Sequence, residues 1–152
     1  MNIIYFFKIY PPKRLYRMFW LSVAKLPMLP TFRAKILKLG GVKISGRCFV
    51  YSNVLIDSVA PERIHISEGV TITSGTKILT HYYDPSQKGR HFRIGDVYIE
   101  KDVFIGLNVL ICNNITIGEG AVIGAGSIVT KNILPYQIWA GNPAKFIKER
   151  VC

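Results

Sequence analysis

The sequence predicts a mainly β fold, a solenoid of six-residue repeats, and three observations carry that expectation. Residues 99–134 divide into IEKDVF, IGLNVL, ICNNIT, IGEGAV, IGAGSI and VTKNIL, each opening on Ile or Val. The fifth place of each block holds a compact or β-branched residue: Val103, Val109, Ile115, Ala121, Ser127 and Ile133. Glycine takes the second place at Gly106, Gly118 and Gly124, where a side chain would crowd the next coil. A period of six suits neither an amphipathic helix nor one long strand. Each block is therefore a short strand and a corner, and three blocks close a triangular coil of about eighteen residues.

The remaining elements follow in chain order. Residues 1–41 mix aromatic, aliphatic and basic side chains, and Pro11, Pro12, Pro27 and Pro30 limit helices to short ones over 13–26 and 31–39. In the first, Leu15, Phe19 and Val23 recur at helical spacing, with Arg14, Arg17 and Lys25 left for the other side. The segment can cap the open end of the solenoid, or it can lie on a membrane with Phe6, Phe7, Phe19 and Trp20 at the interface; the two roles are compatible. Gly40 and Gly41 end it. Weaker hexads open at Ile44, Val50 and Ile56, and residues 57–63 break register as a bulging corner. Register returns at Ile66, Ile72 and Ile78. It stops again after His81, and the polar stretch 82–96, with Pro85, Gly89 and Gly95, reads as a loop extruded from one corner. A loop of that length in so regular a fold is more often functional than idle. The solenoid is expected over 42–138. The turn at Gly141, Asn142 and Pro143 then leads, within 139–152, to a basic tail read as a short terminal helix.

Composition narrows the function. A chain of 152 residues supports one domain. Cys48, Cys112 and Cys152 have unrelated spacings, which suggests neither a disulfide framework nor a zinc site and favours a reducing compartment. No stretch reaches the length of apolar sequence needed to span a bilayer, and residues 1–10 lack the charge order and cleavage site of a secretory signal, so a cytoplasmic location is expected. The net charge of +11 is uneven, since every charged residue before Asp57 is Lys or Arg. Such a block suits an anionic membrane or a phosphate-bearing substrate. No nucleic-acid-binding pattern accompanies it, so no nucleic-acid partner is expected.

His81 carries the chemistry. It stands where the repeats give way to the long loop, and imidazole suits proton removal from a hydroxyl near neutrality. His65 lies in the alternating Ile64-His65-Ile66 strand and reads as an outward-facing side chain. His91 lies in the loop, and Asp84 or a backbone carbonyl could orient the His81 ring.

The run Thr80-His81-Tyr82-Tyr83-Asp84-Pro85, the stretch IGAGSIVTKNI and the segment Ala140-Gly141-Asn142-Pro143-Ala144-Lys145 resemble the hexapeptide-repeat acyltransferases. The similarity is to the galactoside, maltose, nodulation-factor and colanic-acid type of O-acetyltransferase, over about residues 42–148. The resemblance implies a left-handed parallel β-helix, acetyl-coenzyme A as co-substrate with no metal, and a homotrimer with sites between subunits. It also implies His81 as general base, with Tyr82 and Asp84 as acceptor contacts. Leu107 and Ala125 match backbone positions along the pantetheine, Thr130 and Lys131 lie near the adenosine end, and Lys145 and Lys148 match basic positions that meet phosphates. Phe104 stands where Trp is common, Leu107 replaces a smaller residue, and both tail cations are Lys rather than Arg, giving point-charge contact. The expected activity is acetylation of a sugar hydroxyl in a cell-surface polysaccharide or its lipid-linked precursor. A free sugar or other small acceptor is an alternative, as is a silent scaffold. A hydratase on the same prism would need three converging histidines, and His65, His81 and His91 are dispersed in sequence.

Overall fold

A computed structural model describes residues 11–151. The membrane contacts expected of Phe6 and Phe7, and the reading of Cys152, lie outside them. Two helices, α1 (Pro12–Val23) and α2 (Pro30–Leu39), precede a three-faced prism of parallel strands. One face stacks β1 (Lys43–Ile44), β4 (Ile64–Ile66), β9 (Val97–Ile99) and β12 (Ile115–Ile117). The second stacks β2 (Phe49–Val50), β5 (Thr71–Ile72), β10 (Phe104–Ile105), β13 (Val122–Ile123) and β15 (Gln137–Ala140). The third stacks β3 (Leu55–Ile56), β6 (Lys77–Ile78), β11 (Leu110–Ile111) and β14 (Ile128–Val129). This is a left-handed parallel β-helix.

Register explains where the pattern is regular and where it is interrupted. In the last full coil Ile105 lies over Ile123 and Ile111 over Val129, eighteen residues on in each case. In the first coil Ile56 pairs with Ile78, twenty-two residues on, because the corner after β3 takes in a 3₁₀ turn at Pro61–Arg63. Ile78 pairs with Ile111 thirty-three residues on, and the excess is the segment around 82–96. The opening residues of the hexads form one buried column: Ile66, Ile72, Ile78, Ile99, Ile105, Ile111, Ile117 and Ile123 are all nearly or fully inaccessible. Each such side chain contributes roughly 2–3 kcal/mol. A Cβ at Gly106 would lie 2.6 Å from the Ala125 amide nitrogen, and one at Gly118 would lie 2.5 Å from that of Pro135. Those glycines are required by close approach of the next coil.

The helices close the first end of the column. Leu21, Ala24, Ala34, Ile36 and Leu37 are buried in the same core as Val42, Ile44 and Val50. Leu21 is the buried residue of α1, with Ala24 buried at its C-terminal cap; Phe19, expected on the apolar face, is exposed, and Arg17 pairs with Glu62 at 2.9 Å. Arg33 is itself buried. Its guanidinium donates to the carbonyls of Ala24 (2.9 Å), Leu26 (3.0 Å) and Val50 (3.0 Å), tying the turn between the helices to the first coil.

Two expectations are corrected. The tail is not a helix: β16 (Lys145–Glu149) runs back antiparallel to β15. After the turn at 141–143 the chain meets the unpaired edge of β15, and ladder hydrogen bonds there satisfy more backbone groups than a solvated helical turn. The extruded segment is not an irregular loop. It is a hairpin of β7 (His81–Tyr83) and β8 (Phe92–Ile94), with Tyr82 opposite Arg93 and Tyr83 opposite Phe92.

Candidate active site

The prism's repeat brings His81 and Asp57 together from adjacent coils. Because Ile56 stacks under Ile78, the corner residue Asp57 lies beneath the Thr80–His81 corner. Its Oδ2 is 2.5 Å from His81 Nδ1 and accepts hydrogen bonds from the Thr80 amide (2.8 Å) and hydroxyl (2.7 Å). Its Oδ1 accepts from the Val59 amide at 3.0 Å. Burial pushes the Asp57 carboxyl upward, but hydrogen bonds from Val59, Thr80 and His81 outweigh it and hold the group below its ordinary value. Asp57 is thus an acceptor for Nδ1–H, which leaves the Nε2 lone pair of a neutral ring free to take a proton. The imidazole is about a third exposed, whereas the carboxylate is only 4% exposed.

His81 lies at the junction of two clefts. One, of about 360 Å³, runs between the ring and α1 and is lined by Met18, Leu21, Ser22, Lys25, Asp57 and Ser58 among others. The other, of about 430 Å³, runs along the prism past Tyr82, Cys112, Asn113, Asn114 and Thr130. Thr130 also borders a third hollow of about 240 Å³ with Lys131, Trp139, Lys145 and Phe146. The two hollows thus share Thr130, one reaching the imidazole and the other Lys131 and Lys145.

The other expected site residues divide. Tyr82 is exposed beside His81, and Thr130, Lys131 and Lys145 line the hollows just described. Lys148 lies on β16 opposite Ile138, away from that hollow. Leu107 and Ala125 occupy the corner that joins the second face to the third, whereas His81 occupies the corner that joins the third to the first. Within one chain the third face separates them. Asp84 does not orient the imidazole. It is buried at the hairpin tip, where it accepts from the Ser86 hydroxyl (2.6 Å), Gln87 (3.2 Å) and Arg93 (2.7 Å). Those bonds, the Ser86 hydroxyl first and then the Arg93 guanidinium, lower its carboxyl to about 2. Asp84 shapes the arm that carries Tyr82, and Asp57 is the residue that orients His81.

The remaining titratable groups are elsewhere. His65 faces outward, stacked on Tyr98 at 4.4 Å, and His91 sits at the hairpin tip with its carbonyl accepting from the Asp84 amide. Among the described residues no three His, Cys, Asp or Glu side chains gather as a metal-binding group. Burial raises the thiols of Cys48 and Cys112, which suits packing rather than nucleophilic attack.

Residues 96–131 match the bacterial transferase hexapeptide family, described as six repeats. The prism is that of the hexapeptide-repeat transferases. No curated protein sequence matches the chain. Among solved structures, a hexapeptide-repeat acetyltransferase of Vibrio cholerae O1 biovar eltor, complexed with acetyl coenzyme A, is 21% identical with a TM-score of 0.77. The match covers 92% of this chain and 88% of that one, and shows the fold. A maltose O-acetyltransferase of Clostridium difficile 630 is 27% identical with a TM-score of 0.70, over 91% of this chain and 87% of that one. A polySia-specific acetyltransferase is 30% identical with a TM-score of 0.60, over 72% of this chain but 48% of its own length.

Proposed function

We propose that this hexapeptide-repeat transferase moves an acetyl group from acetyl-coenzyme A to a sugar hydroxyl, with His81 as general base. The observation that carries the reading is the Asp57–His81 pair at the junction of two clefts. His81 Nε2 takes the proton of the acceptor hydroxyl as its oxygen attacks the thioester carbonyl carbon. The tetrahedral adduct collapses, the carbon–sulfur bond breaks, and the imidazolium returns its proton to the leaving thiolate. Asp57 fixes the tautomer and stabilises the imidazolium, as the carboxylate does in a triad.

The hollows lined by Asn113 and Thr130, and by Thr130, Lys131 and Lys145, offer amide, hydroxyl and cationic groups that suit a thin amide chain ending in phosphates. The cleft beside α1 is left for the acceptor. Leu107 and Ala125, on the far corner, are assigned to the coenzyme bound by a neighbouring subunit, which makes the working unit a homotrimer closed about a threefold axis. The acceptor class is a cell-surface polysaccharide or its precursor; the similarity to an acetyltransferase specific for polySia and the basic region before Asp57 support this. The test is release of coenzyme A thiol from acetyl-coenzyme A, with maltose, oligosaccharide and polysaccharide acceptors compared. Acceptor-stimulated release with an alkali-labile acetyl ester on the sugar is expected. Release that no hydroxyl acceptor stimulates would refute it.

A further inference from the structure

We propose that the outer edge of the helical cap is the surface by which the protein sits on an anionic lipid bilayer. Large apolar side chains crowd a short stretch there: Leu26 is 57% exposed, Leu29 74% and Phe32 51%. Leu29 is the residue at the start of α2 and Phe32 follows three positions on, which sets both on one side of the helix. Their exposure is fixed by the fold, because the turn that carries them is held by the buried Arg33 guanidinium through the Ala24 and Leu26 carbonyls.

Cations flank the apolar edge. Lys25, Lys35 and Lys38 are exposed, and among the described residues none of them pairs with a carboxylate. Lys35 and Lys38 border, with Thr31 and Arg47, a groove of about 490 Å³ between α2 and the first coil, which has room for a phosphate headgroup. Apolar groups that enter the headgroup boundary, ringed by cations that meet lipid phosphate, are the pattern of an interfacial surface. A protein partner fits less well, since interface centres are depleted in Lys.

The edge also leads to the candidate site, because Lys25 lines the cleft that reaches His81. An acceptor anchored in the bilayer would enter from that side. The bilayer assignment itself does not depend on acyl transfer, and its test uses no turnover.

The experiment is cosedimentation of the full-length chain with vesicles of equal phosphatidylglycerol and phosphatidylcholine, and with phosphatidylcholine alone. Binding to the anionic vesicles, weakened by added salt, is expected. Leu29→Ser with Phe32→Ser should lower the partition at least tenfold. Lys35→Glu with Lys38→Glu should lower it further, as each cation near an anionic surface is worth about fivefold. All four side chains are exposed, so thermal midpoints should stay near wild type and certify folding. The proposal is overturned if wild type ignores anionic vesicles. It is equally overturned if both variants bind as wild type, which would move the contact to another part of the chain. A loss of self-association in place of lipid binding would make the edge a contact between copies and overturn it as well.

Discussion

Replacing Asp57 by Asn keeps the shape of the corner and removes its charge, and the consequence can be worked out from the hydrogen bonds. Three donors converge on Oδ2 (the Thr80 amide, the Thr80 hydroxyl and His81 Nδ1), while the Val59 amide reaches Oδ1. An asparagine can offer one carbonyl oxygen and must place its NH₂ where the other oxygen was. If the carbonyl faces Thr80, the NH₂ opposes the Val59 amide and that part-buried hydrogen bond is lost, at about 1 kcal/mol. The bonds that remain are no longer charge-assisted, so the total loss should be about 2–4 kcal/mol. In the opposite orientation the NH₂ faces His81 Nδ1 and forces the proton onto Nε2, which removes the base. Either way the imidazolium loses its counter-charge, and kcat should fall about 10²-fold while the KM for acetyl-coenzyme A changes little. Urea denaturation and steady-state kinetics on the same preparation check both numbers. Near wild-type kcat in a folded Asp57→Asn chain would refute the positioning role. Equal loss of kcat and coenzyme binding would mean that the corner had collapsed.

Two further outcomes follow from groups away from the imidazole. Arg33→Met should destabilise the fold by about 3 kcal/mol, because the Ala24 and Val50 carbonyls lose a charged donor in a buried site and the Leu26 carbonyl loses one at its margin, and proteolysis should then begin in the turn between α1 and α2. The Asp84 carboxyl, held at about 2, contributes stability that is complete above the ordinary carboxylate value near 3.9 and is lost as pH falls through about 2; Asp57, also held low, adds to it in the same direction. The thermal midpoint should therefore drop between pH 4 and pH 2, and Asp84→Asn should flatten part of that slope.

The core was readable because a hexad has a single steric solution. An aliphatic residue every six positions can only point inward, and Ile99, Ile105, Ile111, Ile117 and Ile123 do so. His81 was readable because it sits where the period stops. Asp57 escaped because residues 57–63 read as a mere break in register, and it lies twenty-four positions from the ring it holds. The signal was nevertheless present. Pairing the hexad that opens at Ile56 with the one at Ile78 sets residue 57 under the corner of residues 79–81, and an acid there has few roles but to meet a donor. The hairpin and the final strand were hidden for another reason. The final strand forms on the edge that β15 leaves open, and the hairpin is a separate two-stranded sheet whose strands pair only with each other, so neither conformation is set by the hexad period. The β15 edge recruits Lys145–Glu149 although their composition suits a helix equally well. Arg33 counts in the sequence only as one cation of the basic block before Asp57, and only the packed cap shows it turned inward.

The most direct test of the catalytic assignment is His81→Ala, assayed by single-turnover and steady-state acetyl transfer with acetyl-coenzyme A binding measured in parallel. The side chain is partly exposed at a corner and adds little to the aliphatic column, so fold and coenzyme affinity should persist. Turnover should fall by about 10²–10⁴-fold, with the loss in kcat, since the proton is taken in the transition state. His65→Ala and His91→Ala, whose rings lie on the first face and at the hairpin tip, should stay close to wild type. A folded His81→Ala chain that transfers acetyl groups at the wild-type rate would contradict the assignment of the base.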